Sequence, residues 1–148
     1  MFIQVSTQLP GTESELWEKI STQESLQFIA APLVTFEPVN HEASHNTWEI
    51  GRNYLFKLYF LGCIPLGVHT IHIIQRDDRK NIISSNESSL LVPVWNHKIS
   101  FKEIQPGLLS YRDEIEFDAK WLTPFVYLFA QIFYRHRQRR WKKLLQNK

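Results

Sequence analysis

Nothing interrupts the end of this chain. No Gly or Pro follows Pro124, so residues 123 to about 146 can run as one long helix. Thr123 reads as its N-cap and Pro124 suits its first position. Leu122, Phe125, Val126, Phe129, Ile132 and Phe133 mark the apolar stripe it buries. The stretch before it, residues 33–119, has a strand texture throughout. Only the last helix is long enough to cover so many strands. The sheet must therefore curve strongly around it, an α+β architecture of six or seven antiparallel strands gripping one C-terminal helix.

The remaining elements fit that frame. Residues 2–7 are strand-prone and stop at Pro10-Gly11. Thr12-x-x-Glu15 and Ser21-x-x-Glu24 read as capping boxes of two short abutting helices, and Pro32 ends the second. Strands are expected at 33–39, 54–60, 66–75, 82–90, 94–103 and 109–119, and 48–51 is a candidate for another. No repeat, linker or low-complexity tract divides residues 1–148, which read as one domain.

Composition narrows the function classes. One cysteine, Cys63, excludes an internal disulfide and a cysteine zinc cluster, and it reads as structural. No secretory signal and no bilayer-length apolar run is visible, so a cytoplasmic location is expected. No Gly-rich phosphate loop and no nucleophile elbow occur. His41 and His45 lack a set of neighbouring acids, so no metal is expected.

Charge is uneven. Residues 135–148 hold seven of the 17 Lys and Arg, while all 15 acids lie at or before Asp118. A groove-reading motif is missing, which argues against nucleic acid. Two readings stay open. Arg137, Arg139, Arg140 and Lys142 make transient contact with an anionic membrane, with Trp141 as interfacial anchor. Alternatively they form a solvated helix end that complements the dipole. Trp141, Leu144 and Leu145 continue the apolar face, which favours packing.

Strand alternation singles out polar residues on an apolar wall. Trp95, His97, Ile99 and Phe101 share one face of strand 94–103, and the other face carries Lys98 and Lys102. The inward set of strand 109–119 is Leu109, Tyr111, Asp113, Ile115 and Phe117. A three-residue turn at Leu91–Pro93 pairs Leu90 with Val94 and sets Glu87 opposite His97. Pairing Arg76 with Ile82 puts His69 diagonal to Glu87 on the same face. A polar line His69–Glu87–His97 results, with Asp113 apart. These four residues hold the polar end of a buried ligand, act as acid and base, or only satisfy one another. Aromatic residues make up 14% of the chain, an excess that suits a walled cavity as well as a core. The ligand set expected from these faces is Tyr54, Phe56, His69, Glu87, Trp95, His97, Phe101, Tyr111, Asp113, Phe125 and Phe129.

The element order resembles the START-like, or SRPBCC, superfamily with its helix-grip fold. The chain looks most like the bacterial polyketide cyclase/dehydrase and lipid-transport-like branch. The resemblance is carried by Leu16-Trp17 to Pro32, Gly51-x-x-Tyr54, Gly62-x-Ile64-Pro65-x-Gly67-x-His69, Glu87, Trp95-x-His97, Tyr111-x-Asp113 and Tyr134 to Trp141. It implies a deep apolar cavity between sheet and helix for a lipid, polyketide-like or other hydrophobic molecule. It names no single chemistry. The expected function is cofactor-free binding of a hydrophobic small molecule. The alternatives are a small aromatase/cyclase or dehydratase using His69, Glu87, His97 and Asp113, and a structural or partner-binding protein with a filled cavity.

Overall fold

The strand texture resolves, in a computed structural model describing residues 1–39 and 47–146, into one antiparallel sheet. Its strands are β1 (Phe2–Pro10), β2 (Val34–Pro38), β3 (Asn53–Phe60), β4 (Ile64–Asp77), β5 (Ile82–Ser89), β6 (Val94–Gln105) and β7 (Leu108–Asp118). The order is β1-β7-β6-β5-β4-β3-β2. Short turns make β3 to β7 a meander, β2 pairs with β3 at one edge, and β1 pairs with β7 at the other. Helices α1 (Glu13–Ile20) and α2 (Gln23–Ala30) carry the chain from one edge of the sheet to the other. Alternation holds as read. Trp95, His97, Ile99 and Phe101 are buried on β6, as are Leu109, Tyr111, Asp113, Ile115 and Phe117 on β7.

The helix starts show local chemistry at work. Thr12 Oγ1 accepts from the Glu15 amide at 3.2 Å and lies 3.3 Å from its carboxylate, the box expected for α1. The second start falls one residue later than the sequence suggests. Thr22, not Ser21, caps α2, with Oγ1 accepting from the Ser25 amide at 3.2 Å. Ser21 is already engaged in closing α1, where its hydroxyl donates to the Trp17 carbonyl at 2.6 Å. Ala31 precedes Pro32 and leaves the helical region (φ −69°, ψ 149°), which stops α2. Residues 48–51 form no strand. Thr47 makes an isolated bridge to Thr22, and the Tyr54 hydroxyl holds the segment by donating to the Thr47 carbonyl and accepting from the Glu49 amide.

The long helix α3 spans Thr123–Gln146. Thr123 is its first helical residue rather than its N-cap. A 3-10 turn, Lys120–Leu122, precedes it, and the Thr123 hydroxyl closes that turn onto the Lys120 carbonyl at 2.7 Å. The buried face is Ala130, Phe133, Tyr134, Arg137, Gln138, Trp141 and Leu145, so Ile132, 54% exposed, lies off it. Three side chains pin the helix. Gln138 Nε2 donates to the Val5 carbonyl (2.7 Å) and Arg140 Nε to that of Phe28 (3.1 Å), while His136 Nε2 lies 2.7 Å from the Ala31 carbonyl. Trp141 is 1% exposed beside Tyr111, a burial worth about 1.5–3 kcal/mol. All these anchors sit in the C-terminal half. The N-terminal half bridges the sheet with Phe125 and Leu128 still largely exposed. That asymmetry leaves a hollow under it.

Candidate functional site

The hollow is a cavity of about 310 Å³. Phe36, Leu58, Phe60, Leu66 and Trp95 wall it from the sheet, and Val126, Phe129 and Phe133 from α3. Its polar groups are few: His69, Glu87, Ser89, Tyr134 and Arg137. The β3–β4 turn, the β5–β6 turn and the start of α3 share one end of the sheet, where Leu91 and Phe125 line the cavity while exposed to solvent. A second, smaller cavity of about 70 Å³ lies deeper, against Ile71, Ile99, His97 and Trp141. Phe36, Glu87 and Arg137 line both, so they form the partition between the two.

Five expected ligand contacts, Tyr54, Phe56, Phe101, Tyr111 and Asp113, line neither of these cavities. Tyr54 packs on Trp48 with ring centroids 4.8 Å apart, and Phe56 on Phe36 at 5.7 Å. Phe101 meets Trp17 edge-on at 5.2 Å, and the Tyr111 hydroxyl donates to Asp113. Alternation identifies the inward face of a strand but not the depth along it. The helices and the anchored half of α3 fill the other end. His97 reaches only the smaller cavity, whereas His69, Glu87, Trp95, Phe125 and Phe129 line the larger one.

The polar line is wired differently from the expected register. The β5–β6 turn takes four residues, Leu90–Pro93, held by the Ser89 amide on the Val92 carbonyl. Glu87 therefore stands opposite Trp95, and Ser85 opposite His97. A slip of two preserves the face but changes the partners. Glu87 Oε1 lies 2.8 Å from His69 Nε2, and Glu87 Oε2 accepts from the Ser85 hydroxyl at 2.6 Å. His97 Nδ1 is 3.9 Å from Glu87. The main partner of His97 is Asp113, not Glu87: Nε2 to Oδ1 is 2.7 Å. Asp113, expected apart, is fully buried and also accepts from Tyr111 Oη (3.2 Å) and Gln138 Nε2 (3.0 Å). The diagonal between His69 and Glu87 holds, since His69 pairs with Ser89. An irregularity between Ile73 and Gln75 moves Arg76 opposite Ile83 instead of Ile82.

Electrostatics follow the wiring. Burial pushes the Glu87 carboxyl up, but the hydrogen bond and charge of His69, the charge of His97 and the Ser85 hydroxyl outweigh it and hold the group below its ordinary value. Burial raises the Tyr111 and Tyr134 hydroxyls far out of the titrating range, so both stay neutral: Tyr111 donates to Asp113, and Tyr134 accepts from Trp95 Nε1 at 3.0 Å. Chemically, the His69–Glu87 pair can hold a proton at the cavity wall. The His97–Asp113 pair lies behind the partition, with His97 on the smaller cavity, and ties β6, β7 and α3 together.

Arg137 is the residue that sequence reading assigned elsewhere. It is 6% exposed, and its guanidinium lies over the rings of Tyr134 (5.0 Å) and Phe133 (5.7 Å). Among the described residues its Nε has no hydrogen-bond partner and the side chain forms no ion pair. Burial opposes its charge, yet nearby Tyr134, Asp113, Tyr111 and Glu87 raise its pKa above the ordinary value. The signal was present in the spacing: Arg137 lies four residues after Phe133 and four before Trp141, in the middle of the buried stripe. Arg140 is engaged too, 4.0 Å over the Phe28 ring. Trp141, buried, is no interfacial anchor. Arg139 is exposed and Lys142 partly so. Half of the expected membrane-facing set is therefore packing.

Among the described residues no group of three or more potential ligands could hold a metal ion, and no helix is long and apolar enough to cross a membrane. His41 and His45 lie outside the described residues.

Residues 7–145 match the family model described as Domain of unknown function (DUF8410), and the chain belongs to that family. No curated protein matches it in sequence. Solved structures share its fold at low identity. A Chromobacterium violaceum protein superposes with a TM-score of 0.78 at 10% identity, over 99% of this chain and 98% of its own. A START superfamily protein from Mycobacterium smegmatis gives 0.73 at 9%, covering 98% and 97%. Norcoclaurine synthase from Thalictrum flavum, in complex with dopamine and hydroxybenzaldehyde, gives 0.72 at 12%, covering 100% and 88%. The fold is thus the START-like helix grip that the sequence resembles.

Proposed function

We propose that this DUF8410 member is a ligand-binding domain that takes up a small hydrophobic molecule, a lipid, polyketide-like or aromatic compound, between α3 and the sheet. The carrying observation is the apolar cavity of about 310 Å³ with exposed Leu91 and Phe125 among its lining residues. Apolar side chains that line an open hollow forgo burial worth about 25 cal/mol per Å² in the unliganded fold. It is therefore a feature to be explained by use. At roughly 30 Å³ per water-sized group, the space takes about ten non-hydrogen atoms, with room for more at the mouth. Norcoclaurine synthase, built on the same fold, holds small aromatic molecules, which supports the reading.

Titration with the neutral probe N-phenyl-1-naphthylamine tests it. Saturable enhancement that Val126→Trp abolishes is the expected result. No enhancement, together with native mass spectra free of any copurified apolar mass, would overturn the reading. A second reading, acid–base turnover of the bound molecule, rests on the His69–Glu87 pair at the cavity wall. On that reading a Glu87→Gln protein binds but no longer converts a ligand recovered from the native protein.

A further inference from the structure

We infer that the ligand carries an anionic group, a carboxylate or its equivalent, and that Arg137 receives it. The inference rests on the ligand-binding reading above and names the chemical class that the cavity selects. Arginine stays charged at any relevant pH, and an unpaired buried charge is costly. Natural folds pair such a group or let it coordinate something. Here both buried carboxylates are committed elsewhere. Glu87 holds His69 and Ser85, and Asp113 holds His97, Tyr111 and Gln138. The other basic side chains of the run have different fates: Arg140 is satisfied by a carbonyl and a ring, and Arg139 by solvent.

Arg137 also stands in the right place. It contributes to the wall of the large cavity at the partition with the small one, while the exposed lining residues lie near the turns and the start of α3. A molecule entering tail-out would meet Phe129, Trp95 and Leu66 along its length and the guanidinium at its head. Two parallel N–H donors of one guanidinium match the two oxygens of a carboxylate, a fit that an alcohol or an amine does not offer. His69, on the same wall, is a second donor when its imidazole is protonated. Glu87 repels a head group that goes past Arg137, which sets the depth of binding. The result is an amphiphile site: an apolar barrel of about 310 Å³ with one fixed cation at its base.

The test compares decanoate, decanol and decylamine, one chain with three heads, as competitors of N-phenyl-1-naphthylamine. In the native protein decanoate displaces the probe at about tenfold or more lower concentration than decanol, and decylamine is the weakest. In Arg137→Met the decanoate-to-decanol ratio collapses to near one. Arg137→Lys, which keeps the charge but not the fork, retains part of it. Near-ultraviolet circular dichroism reports folding, and if Arg137→Met does not fold, the ranking in the native protein still decides. Equal displacement by decanoate and decanol overturns the inference while leaving the ligand-binding reading intact. No displacement by any of the three, with no probe binding, is instead the failure of that reading.

Discussion

Replacing Asp113 by Leu removes the acceptor of three hydrogen bonds at a fully buried site. Gln138 keeps the Val5 carbonyl, so it loses one of two partners. His97 loses its 2.7 Å partner and has only Glu87, 3.9 Å away, as a substitute. Tyr111 loses the acceptor of its hydroxyl. Each stranded donor costs about 1–3 kcal/mol, and relaxation keeps the sum below simple addition, so about 3–5 kcal/mol is expected. That is a large share of the ~5–15 kcal/mol of a typical domain. Adding His97→Phe in the same chain removes one stranded donor, and the double-mutant cycle should show coupling of about 1.5–3 kcal/mol. Equilibrium urea unfolding at neutral pH measures all four corners, with the slope checked for constancy. A parallel cycle of Glu87→Leu with His97→Phe should couple by less than about 1 kcal/mol, because that pair is 3.9 Å apart and each member has a closer partner. Additivity within about 0.5 kcal/mol in the Asp113 cycle, or stronger coupling in the Glu87 cycle, refutes the wiring and the β5–β6 register beneath it.

Decanoate should raise the native protein's thermal midpoint, and Arg137→Met should remove most of that rise while the transition stays cooperative; an equal rise in both proteins would mean the guanidinium does not receive the carboxylate. Because Glu87 is held below its ordinary value of 4.5, its ionised form stabilises the native state at pH values above 4.5. That contribution is lost as pH falls through the lower folded value, so acid unfolding curves should be shallower for Glu87→Gln in that window. Val126→Trp should fill the large cavity and abolish probe binding while the protein still unfolds cooperatively; retained binding would place the ligand elsewhere.

Much of this molecule follows from periodicity. Alternation on β6 and β7 selects the inward face with no ambiguity, because the opposite choice buries Lys98 and Lys102. The absence of helix breakers after Pro124 sets the length of α3, and one long helix beside seven strands leaves only a grip as an answer. These are local or one-dimensional properties, and they survive small errors in register. Pairing does not. Whether His97 meets Glu87 or Asp113 depends on a two-residue shift of register at the β5–β6 turn and on the closeness of neighbouring strands, which are facts of three-dimensional assembly. Depth along a strand is equally invisible in the chain. Phe101 and Trp95 look equivalent in sequence, yet one packs on Trp17 and the other walls the cavity. Arg137 shows the limit most plainly. Its charge places it with the solvated tail and its spacing places it in the core, and only the rotation of α3, set by Gln138, Arg140 and Trp141, decides between the two.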